Sequence, residues 1–386
     1  MKVKRIAYNL HLWIGMISGI IVFIVCMTGA IWALNIHGWI GSDSIAETEI
    51  PNTGSPLLKP SQLAELSADT LGVDLTYVTY AQNAPVRIGT YNRKNRISAL
   101  MDPYTGKILA IDKFNTDGFN FWHFIRQGHR FLWLSPEIGR PIVNYGTLAF
   151  VLVLISGLVY WFPKSKKDLK RKLWFKWKKK TNLRRRFFDL HTVLGLYSCF
   201  VLIAISLTGM VWGLEWWSKG LYKVTSGGKE LPQWGTVYSD TLSVNIADSL
   251  SPKMATDIIF EKIIKENPHA YSVHFGFPDA KDKSSVISVY IYPQKNVYYN
   301  SDSYYFDRYS LKEIKTDGPY SGKYSDAVFA DKLRRMNYDI HIGSVWGTPG
   351  RLLMFFAALF GASLPITGFY LFFKKRIEKR KKHLTK

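Results

Sequence analysis

Residues 9–34 read NLHLWIGMISGIIVFIVCMTGAIWAL, and residues 189–212 read DLHTVLGLYSCFVLIAISLTGMVW. Each run is longer than the roughly 20 apolar residues with which a helix crosses a bilayer. Set one over the other, they keep Leu10-His11 above Leu190-His191, Thr28-Gly29 above Thr208-Gly209 and Trp32 above Trp212, always 180 residues apart. An offset held across a whole span marks an internal repeat, and a repeat has to be recognised before the fold is assigned.

Two further apolar runs, 143–162 and 352–373, repeat in the same sense. Ser156-Gly157 followed by Tyr160 answers Thr367-Gly368 followed by Tyr370, and Gly139-Arg140-Pro141 answers Pro349-Gly350-Arg351. His129 precedes Gly157 by 28 residues and His341 precedes Gly368 by 27. Between the spans, Asp102-Pro103-Tyr104-Thr105-Gly106-Lys107 resembles Asp307-Arg308-Tyr309-Ser310-Leu311-Lys312. Each half therefore reads span, outside segment, span. Both halves start on the same face, which gives a parallel repeat about an axis along the membrane normal.

Charge orients the spans. The 386 residues are 47% apolar and 15% aromatic, with 51 Lys and Arg against 29 Asp and Glu. Residues 1–5, 164–186 and 374–386 hold 24 of the bases and only two acids, Asp168 and Glu378, which accounts for the whole net charge of +22. Basic segments flanking apolar runs lie on the cytoplasmic side. The expected order is span 1–35, outside segment 36–140, span 141–163, basic cytoplasmic loop 164–186, span 187–217, outside segment 218–350, span 351–373 and basic cytoplasmic tail 374–386. Both termini are then cytoplasmic, the membrane is a bacterial inner membrane, and both outside segments are periplasmic. The first apolar run is too long for a cleaved signal. This distribution excludes a soluble nucleic-acid-binding protein, and two cysteines exclude a disulfide-stapled secreted domain.

Outside the spans the pattern predicts helices at 57–71 and 255–266, a hairpin over 86–111 turning at Pro103 and Gly106, and strands at 272–277 and 286–292. Two small α+β domains follow. Span glycines such as Gly15, Gly19, Gly29, Gly195 and Gly209 are expected to serve close helix packing. Trp32, Trp161, Trp212, Trp216 and Trp217 are expected mainly in the interfacial belt.

The repeat sorts the histidines. His11 and His191 are equivalent near the cytoplasmic ends of spans one and three; His129 and His341 are equivalent towards the outside ends of spans two and four. Ionisable side chains beside apolar spans point to function. Equivalent residues of a parallel repeat share a depth, so each couple can face across the axis. Imidazole ligates iron and zinc. Zinc asks for a third or fourth protein ligand, whereas two axial histidines in an apolar gap suit a b-type haem. The chain has no C-x-x-C-H, so attachment is not covalent. His123 is a rival to His129, and Pro136 and Pro141 leave room for His129 on an interfacial helix before the span. His37 is another candidate, disfavoured because Trp217 stands at its repeat position; His269, His274 and His383 read as surface residues. Arg140 and Arg351 stand at the outside mouths of spans, where a guanidinium can meet a haem propionate or a lipid headgroup.

The Asp-Pro-x-Thr-Gly-Lys turn after a helix and strands resembles a PepSY domain. The order span, PepSY, span, twice over, with Leu-His-x-x-x-Gly opening spans one and three, resembles the PepSY-associated transmembrane proteins, a family that includes iron-regulated membrane proteins and FoxB-like ferric-siderophore reductases. The resemblance covers nearly the whole chain and departs from the PepSY pattern at Ser310-Leu311. It implies that His11, His191, His129 and His341 bind two haems and that electrons pass outward to Fe(III) held by a siderophore or other ferric chelate. The chain has no nicotinamide or flavin motif, so the electron donor is separate, either quinol or a cytoplasmic reductase. The alternative reading is non-enzymatic, a membrane-anchored PepSY regulatory or binding module or a siderophore-uptake accessory. A transporter is disfavoured because the span centres carry neither Asp nor Lys.

Overall fold

The computed structural model describes residues 2–41, 48–90, 96–114, 118–163, 165–233, 236–242 and 250–384. In chain order the elements are α1 (Lys2–Ile36), α2 (Pro60–Leu71), β1 (Tyr77–Ala81), β2 (Val86–Gly89), β3 (Arg96–Met101), β4 (Ile108–Phe114), α3 (Phe121–Phe131), α4 (Pro136–Trp161), α5 (Lys166–Lys172), α6 (Leu183–Met210), α7 (Glu215–Thr225), α8 (Pro252–Glu266), β5 (Ser272–Gly276), β6 (Ile287–Tyr292), β7 (Asp302–Phe306), α9 (Phe329–Ile342) and α10 (Gly347–Leu384). The chain alternates between two units: Met1–Gly41, Asn120–Gly220 and Tyr338–Lys386 form one, and Ser42–Phe119 with Leu221–Asn337 the other.

The first unit is a four-helix bundle. α1 packs on α4 and α10, and α6 packs on the same two, which closes the ring. All four are long and apolar enough to cross a membrane. Val22, Phe150, Leu154, Cys199, Leu202, Ala357 and Leu364 fill the centre, while Ile17 and Ile20 face outward at 79% and 64% exposure. Against lipid such a surface is the matching face. Hydroxyls within the spans bond back to their own helices, Ser18 to the Ile14 carbonyl and Thr28 to that of Ile24, which satisfies them without water.

The span limits differ from the sequence expectation for local reasons. α4 begins at Pro136, where the missing N–H of a first-turn proline costs nothing. α6 begins at Leu183, capped by the Asn182 side chain on the Arg185 N–H at 2.9 Å, and ends at Met210. Trp212 therefore follows the helix, and Trp216 and Trp217 lie on α7. α10 continues helical through the Lys- and Arg-rich tail, whose residues are good helix formers. The ion pair Arg184–Glu378 joins the bases of α6 and α10 at 2.5 Å. The last carbonyls of α4 receive Lys172 at Trp161 and Lys4 at Phe162.

The second unit corrects the expectation of two small domains. Its strands form one antiparallel sheet in the order β4-β3-β2-β1-β5-β6-β7. β1 of the first half pairs with β5 of the second, Tyr77 opposite Gly276 through Ala81 opposite Ser272. Each half alone would leave the backbone groups of that edge unpaired, and joining them removes both edges. One face carries Val78, Ile88, Ala99, Phe275, Ile287 and Val289 into a core with Leu63 of α2 and Ile259 and Phe260 of α8. The α2 N-terminus is held by α8: Asp257 accepts from the Ser61 N–H at 2.9 Å and from its hydroxyl at 2.5 Å.

The two Asp-led turns take one shape. Asp102 accepts from the N–H groups of Tyr104 and Thr105, each at 2.9 Å; Asp307 accepts from those of Tyr309 at 3.0 Å and Ser310 at 2.7 Å. The next position needs a left-handed backbone. Gly106 has φ +72°, and Leu311 adopts φ +58° in the same place, so the turn survives the loss of the Thr-Gly signature.

Candidate functional site

The four repeat histidines come together as two pairs in the helical unit. His11 on α1 and His191 on α6 have ring centroids 6.0 Å apart at 85°. His129 on α3 and His341 on α9 lie 6.4 Å apart at 59°. The short helices α3 and α9 precede the spans, which is how the residues before α4 and α10 reach across to α1 and α6.

Each ring is tied to backbone at Nδ1. His11 donates to the Val153 carbonyl of α4 at 2.9 Å, and His129 to the Val25 carbonyl of α1 at 2.9 Å. His191 meets the Leu364 carbonyl at 3.1 Å and the Thr367 hydroxyl at 2.8 Å, both on α10. His341 meets the Ile205 carbonyl and the Thr208 hydroxyl of α6, each at 3.0 Å. A carbonyl can only accept, so the proton resides on Nδ1 and the Nε2 lone pair is presented in all four rings. Each anchor comes from the histidine's own half of the chain, while each pair joins one ring from either half.

The anchoring carbonyl always lies four residues before a glycine: Val153 and Gly157, Leu364 and Gly368, Val25 and Gly29, Ile205 and Gly209. A Cβ at these glycines would stand 2.8, 3.4, 2.9 and 3.3 Å from the imidazole Cε1. Gly157 and Gly29 therefore let the Nδ1–Cε1 edge of a ring come close to a helix backbone, a task beyond the helix packing expected of span glycines, and Gly209 and Gly368 hold the equivalent places at looser contact. Trp32 stands 5.7 Å from His129 and Trp212 5.1 Å from His341, edge-on, so these two tryptophans are neighbours of the second pair. The signal that could have found the glycines is the hydroxyl-glycine dipeptide at repeat positions: Thr28-Gly29, Ser156-Gly157, Thr208-Gly209 and Thr367-Gly368.

His11 and His191 line a cavity of about 960 Å³ with Gly15, Phe150, Gly157 and Gly195, bounded also by Lys172, Arg185 and Lys375. Arg185 is committed to Asp189, which is 1% exposed, at 2.8 Å, and the Trp177 indole donates to the same carboxylate at 3.1 Å. Among the described residues no three His, Cys, Asp or Glu side chains gather into a metal-holding group.

The rival residues fall elsewhere. His123 shares α3 with His129, but its Nε2 is 3.0 Å from the Gln127 side chain of the same helix, and it is His129 that faces His341. Arg140 lies over the Phe131 ring at 5.7 Å. Arg351 is near His37, whose ring lies 5.0 Å from that of Trp39 at a tilt of 49°. His269 is exposed, as expected. His274 corrects the sequence reading of a surface residue. It sits in the sheet between Tyr77 at 5.4 Å and Tyr290 at 5.8 Å, its Nδ1 2.7 Å from the Thr79 hydroxyl, and burial pulls its pKa down to about 4. Lys164 and the side chain of His383 lie outside the described residues.

Comparison with curated proteins finds no match to this chain. The family model described as the PepSY-associated TM region matches residues 8–375, so it takes in both imidazole pairs and all four spans. The chain is a multi-pass membrane protein of the PepSY-associated TM family.

Proposed function

We propose that this protein is a dihaem b-type electron-transfer protein of a bacterial inner membrane, reducing a ferric chelate, a ferric siderophore foremost, on the periplasmic face. The observation that carries this reading is the fourfold Nδ1–carbonyl anchor, which leaves two Nε2 lone pairs at each of two depths. Two nitrogen ligands are too few for a bare zinc or iron ion, and they suit a group that brings its own equatorial ligands. Two imidazoles on opposite sides of one metal, each bonded at about 2.0–2.1 Å, leave their ring centres roughly 6 Å apart. The observed 6.0 and 6.4 Å fit that requirement, and a cavity of about 960 Å³ at the first pair is of cofactor size.

A b-type haem held by the two imidazoles of a pair would supply one-electron exchange. The protein's part is orientation and insulation. The Nδ1–H bonds fix the tautomer and raise ring basicity, the glycines set the depth of each ring, and the apolar spans exclude water. Along α1, His11 and Val25 are 14 residues apart, or ~21 Å at 1.5 Å per residue, so the two pairs occupy most of a hydrocarbon core of about 30 Å. The basic segments put the His11–His191 end towards the cytoplasm. A quinol or a cytoplasmic reductase gives up electrons on that side, and Fe(III) in the chelate takes one electron to become Fe(II) on the other. The facing of one ring from each half supports a parallel repeat, in which equivalent residues share a depth.

Oxidised and dithionite-reduced absorption spectra of detergent-purified protein, with haem counted per chain, test this. The expected count is two six-coordinate b-haems, one lost in His11→Ala or His191→Ala and the other in His129→Ala or His341→Ala. Trapping of Fe(II) from a ferric siderophore should depend on all four. Colourless protein from cells amply supplied with haem overturns the proposal and leaves the regulatory PepSY module as the better account.

A further inference from the structure

The four anchors are not alike. All four are followed by a hydroxyl residue just before the glycine, yet among the described residues only the hydroxyls of the second half touch an imidazole. Thr367 Oγ1 lies 2.8 Å from His191 Nδ1, and Thr208 Oγ1 lies 3.0 Å from His341 Nδ1. Both threonines also donate their one hydrogen along their own helices, Thr367 to Ser363 or Leu364 at 3.0 Å and Thr208 to Ala204 at 2.8 Å. The hydroxyl oxygen is therefore left to accept, and the Nδ1–H of each second-half ring is shared between a carbonyl and a hydroxyl. In the first half Thr28 turns to the Ile24 carbonyl at 2.6 Å and the Val25 carbonyl at 3.2 Å, and Ser156 to the Val153 carbonyl at 3.0 Å, so these hydroxyls reach the anchoring carbonyls but not the imidazoles. There each Nδ1–H has its carbonyl alone, at 2.9 Å.

We infer that the Thr208 and Thr367 hydroxyls are tuning residues: as second acceptors at Nδ1 they make His341 and His191 the more electron-rich ligand of each pair and lower the potential of the metal bound there. This rests on the haem reading above. Stronger acceptance at the distal nitrogen raises the basicity of the ligating one, and a more basic axial ligand favours the oxidised metal. Each site thus has one single-acceptor ring from the first half and one double-acceptor ring from the second. A low potential at both sites is what reduction of a tightly chelated Fe(III) requires.

Spectroelectrochemical titration of the loaded protein tests this site by site. Thr367→Val should raise the midpoint of the His11–His191 site alone, and Thr208→Val that of the His129–His341 site alone. The expected size is about threefold to tenfold in the oxidised-to-reduced ratio at fixed potential, the gain or loss of one neutral hydrogen bond; tenfold corresponds to about 59 mV for one electron. Thr28→Val, which removes a hydroxyl that touches the Val25 carbonyl but not the imidazole, should leave the His11–His191 midpoint unmoved and shift the other by less than Thr208→Val does. Thr367→Ser and Thr208→Ser should restore the parent midpoints, which a purely structural role would not predict. If valine disturbs haem loading, Thr367→Ala and Thr208→Ala carry the same expectation. Parent-like midpoints in the valine or alanine variants, or shifts equal to that of Thr28→Val, overturn the inference while two haems per chain keep the function standing; parent protein without haem overturns the function itself.

Discussion

Alanine at Gly157 puts a methyl carbon 2.8 Å from Cε1 and 2.9 Å from Nδ1 of His11. Carbon atoms rest about 3.5–4.0 Å apart, so the ring must retreat by roughly 0.7 Å. The His11–Val153 bond starts at 2.9 Å, and a retreat of that size takes it beyond the ~3.2 Å limit of a sound N–H···O bond. Gly29 poses the same conflict with His129 at 2.9 Å, whereas Gly209 and Gly368 leave 3.3 and 3.4 Å, nearly ordinary contact. Alanine in a helix interior gains about 0.8–1.0 kcal/mol over glycine, and overpacking costs about 1–3 kcal/mol. Gly157→Ala and Gly29→Ala should therefore be neutral to destabilising by about 2 kcal/mol, while Gly209→Ala and Gly368→Ala stabilise by up to about 1 kcal/mol. The assay is haem per chain by reduced difference spectrum, run beside thermal unfolding in detergent. The first two variants should fall from two haems towards one and the other two should keep both. Equal loading in all four, or greater loss at Gly368 than at Gly157, would refute the argument that the glycine sets imidazole depth.

Asp257→Ala removes the only carboxylate described on the Ser61 N–H and hydroxyl and should lower stability by about 2 kcal/mol, within the range for hydrogen bonds to a charged group; differential scanning calorimetry reads it. Gly106→Ala asks a side chain to adopt φ +72° beside the Leu66 side chain, which is 53% exposed and can move aside, so a loss of about 1–2 kcal/mol is expected from the left-handed conformation, seen as a lowered unfolding midpoint. Acid should loosen the same turns. Desolvation pushes the Asp102 and Asp307 carboxyls up, but the backbone N–H bonds outweigh it and hold both below the ordinary 3.8. A depressed carboxyl gives stability that is present above its unfolded pKa and lost as pH falls through the folded one. The unfolding midpoint should therefore drop below about pH 4, and less steeply in Asp102→Asn/Asp307→Asn; parallel profiles for the parent and the double variant would contradict this.

The spans and the histidine couples were legible because both are carried by short, local signals: an apolar run of bilayer length, and a Leu-His dipeptide or a His-to-Gly spacing matched to within one residue across the repeat. The union of the two outside segments was not. β1 reads Tyr-Val-Thr-Tyr-Ala with no turn signal to announce a partner, and its neighbour β5 lies 195 residues on at the Thr79–His274 contact. His274 looked like a surface residue for the same reason, since the rings that bury it come from strands of both halves. The task of the glycines was hidden differently: close helix packing explains a span glycine equally well until an imidazole is seen resting on it. The Asp-led turn was legible at Gly106 and obscured at Leu311, where the aspartate bonds hold a left-handed backbone without the glycine that usually advertises it.

The pairing of β1 with β5 imposes an order on biosynthesis. A ribosome adds roughly 5–20 residues per second, so the 195 residues between Thr79 and His274 occupy roughly 10 to 40 seconds. During that interval the first-half strands have one edge unsatisfied while the chain of two more spans is made. Nascent chains of this protein are accordingly expected to be most open to edge-to-edge pairing between the emergence of β1 and that of β5.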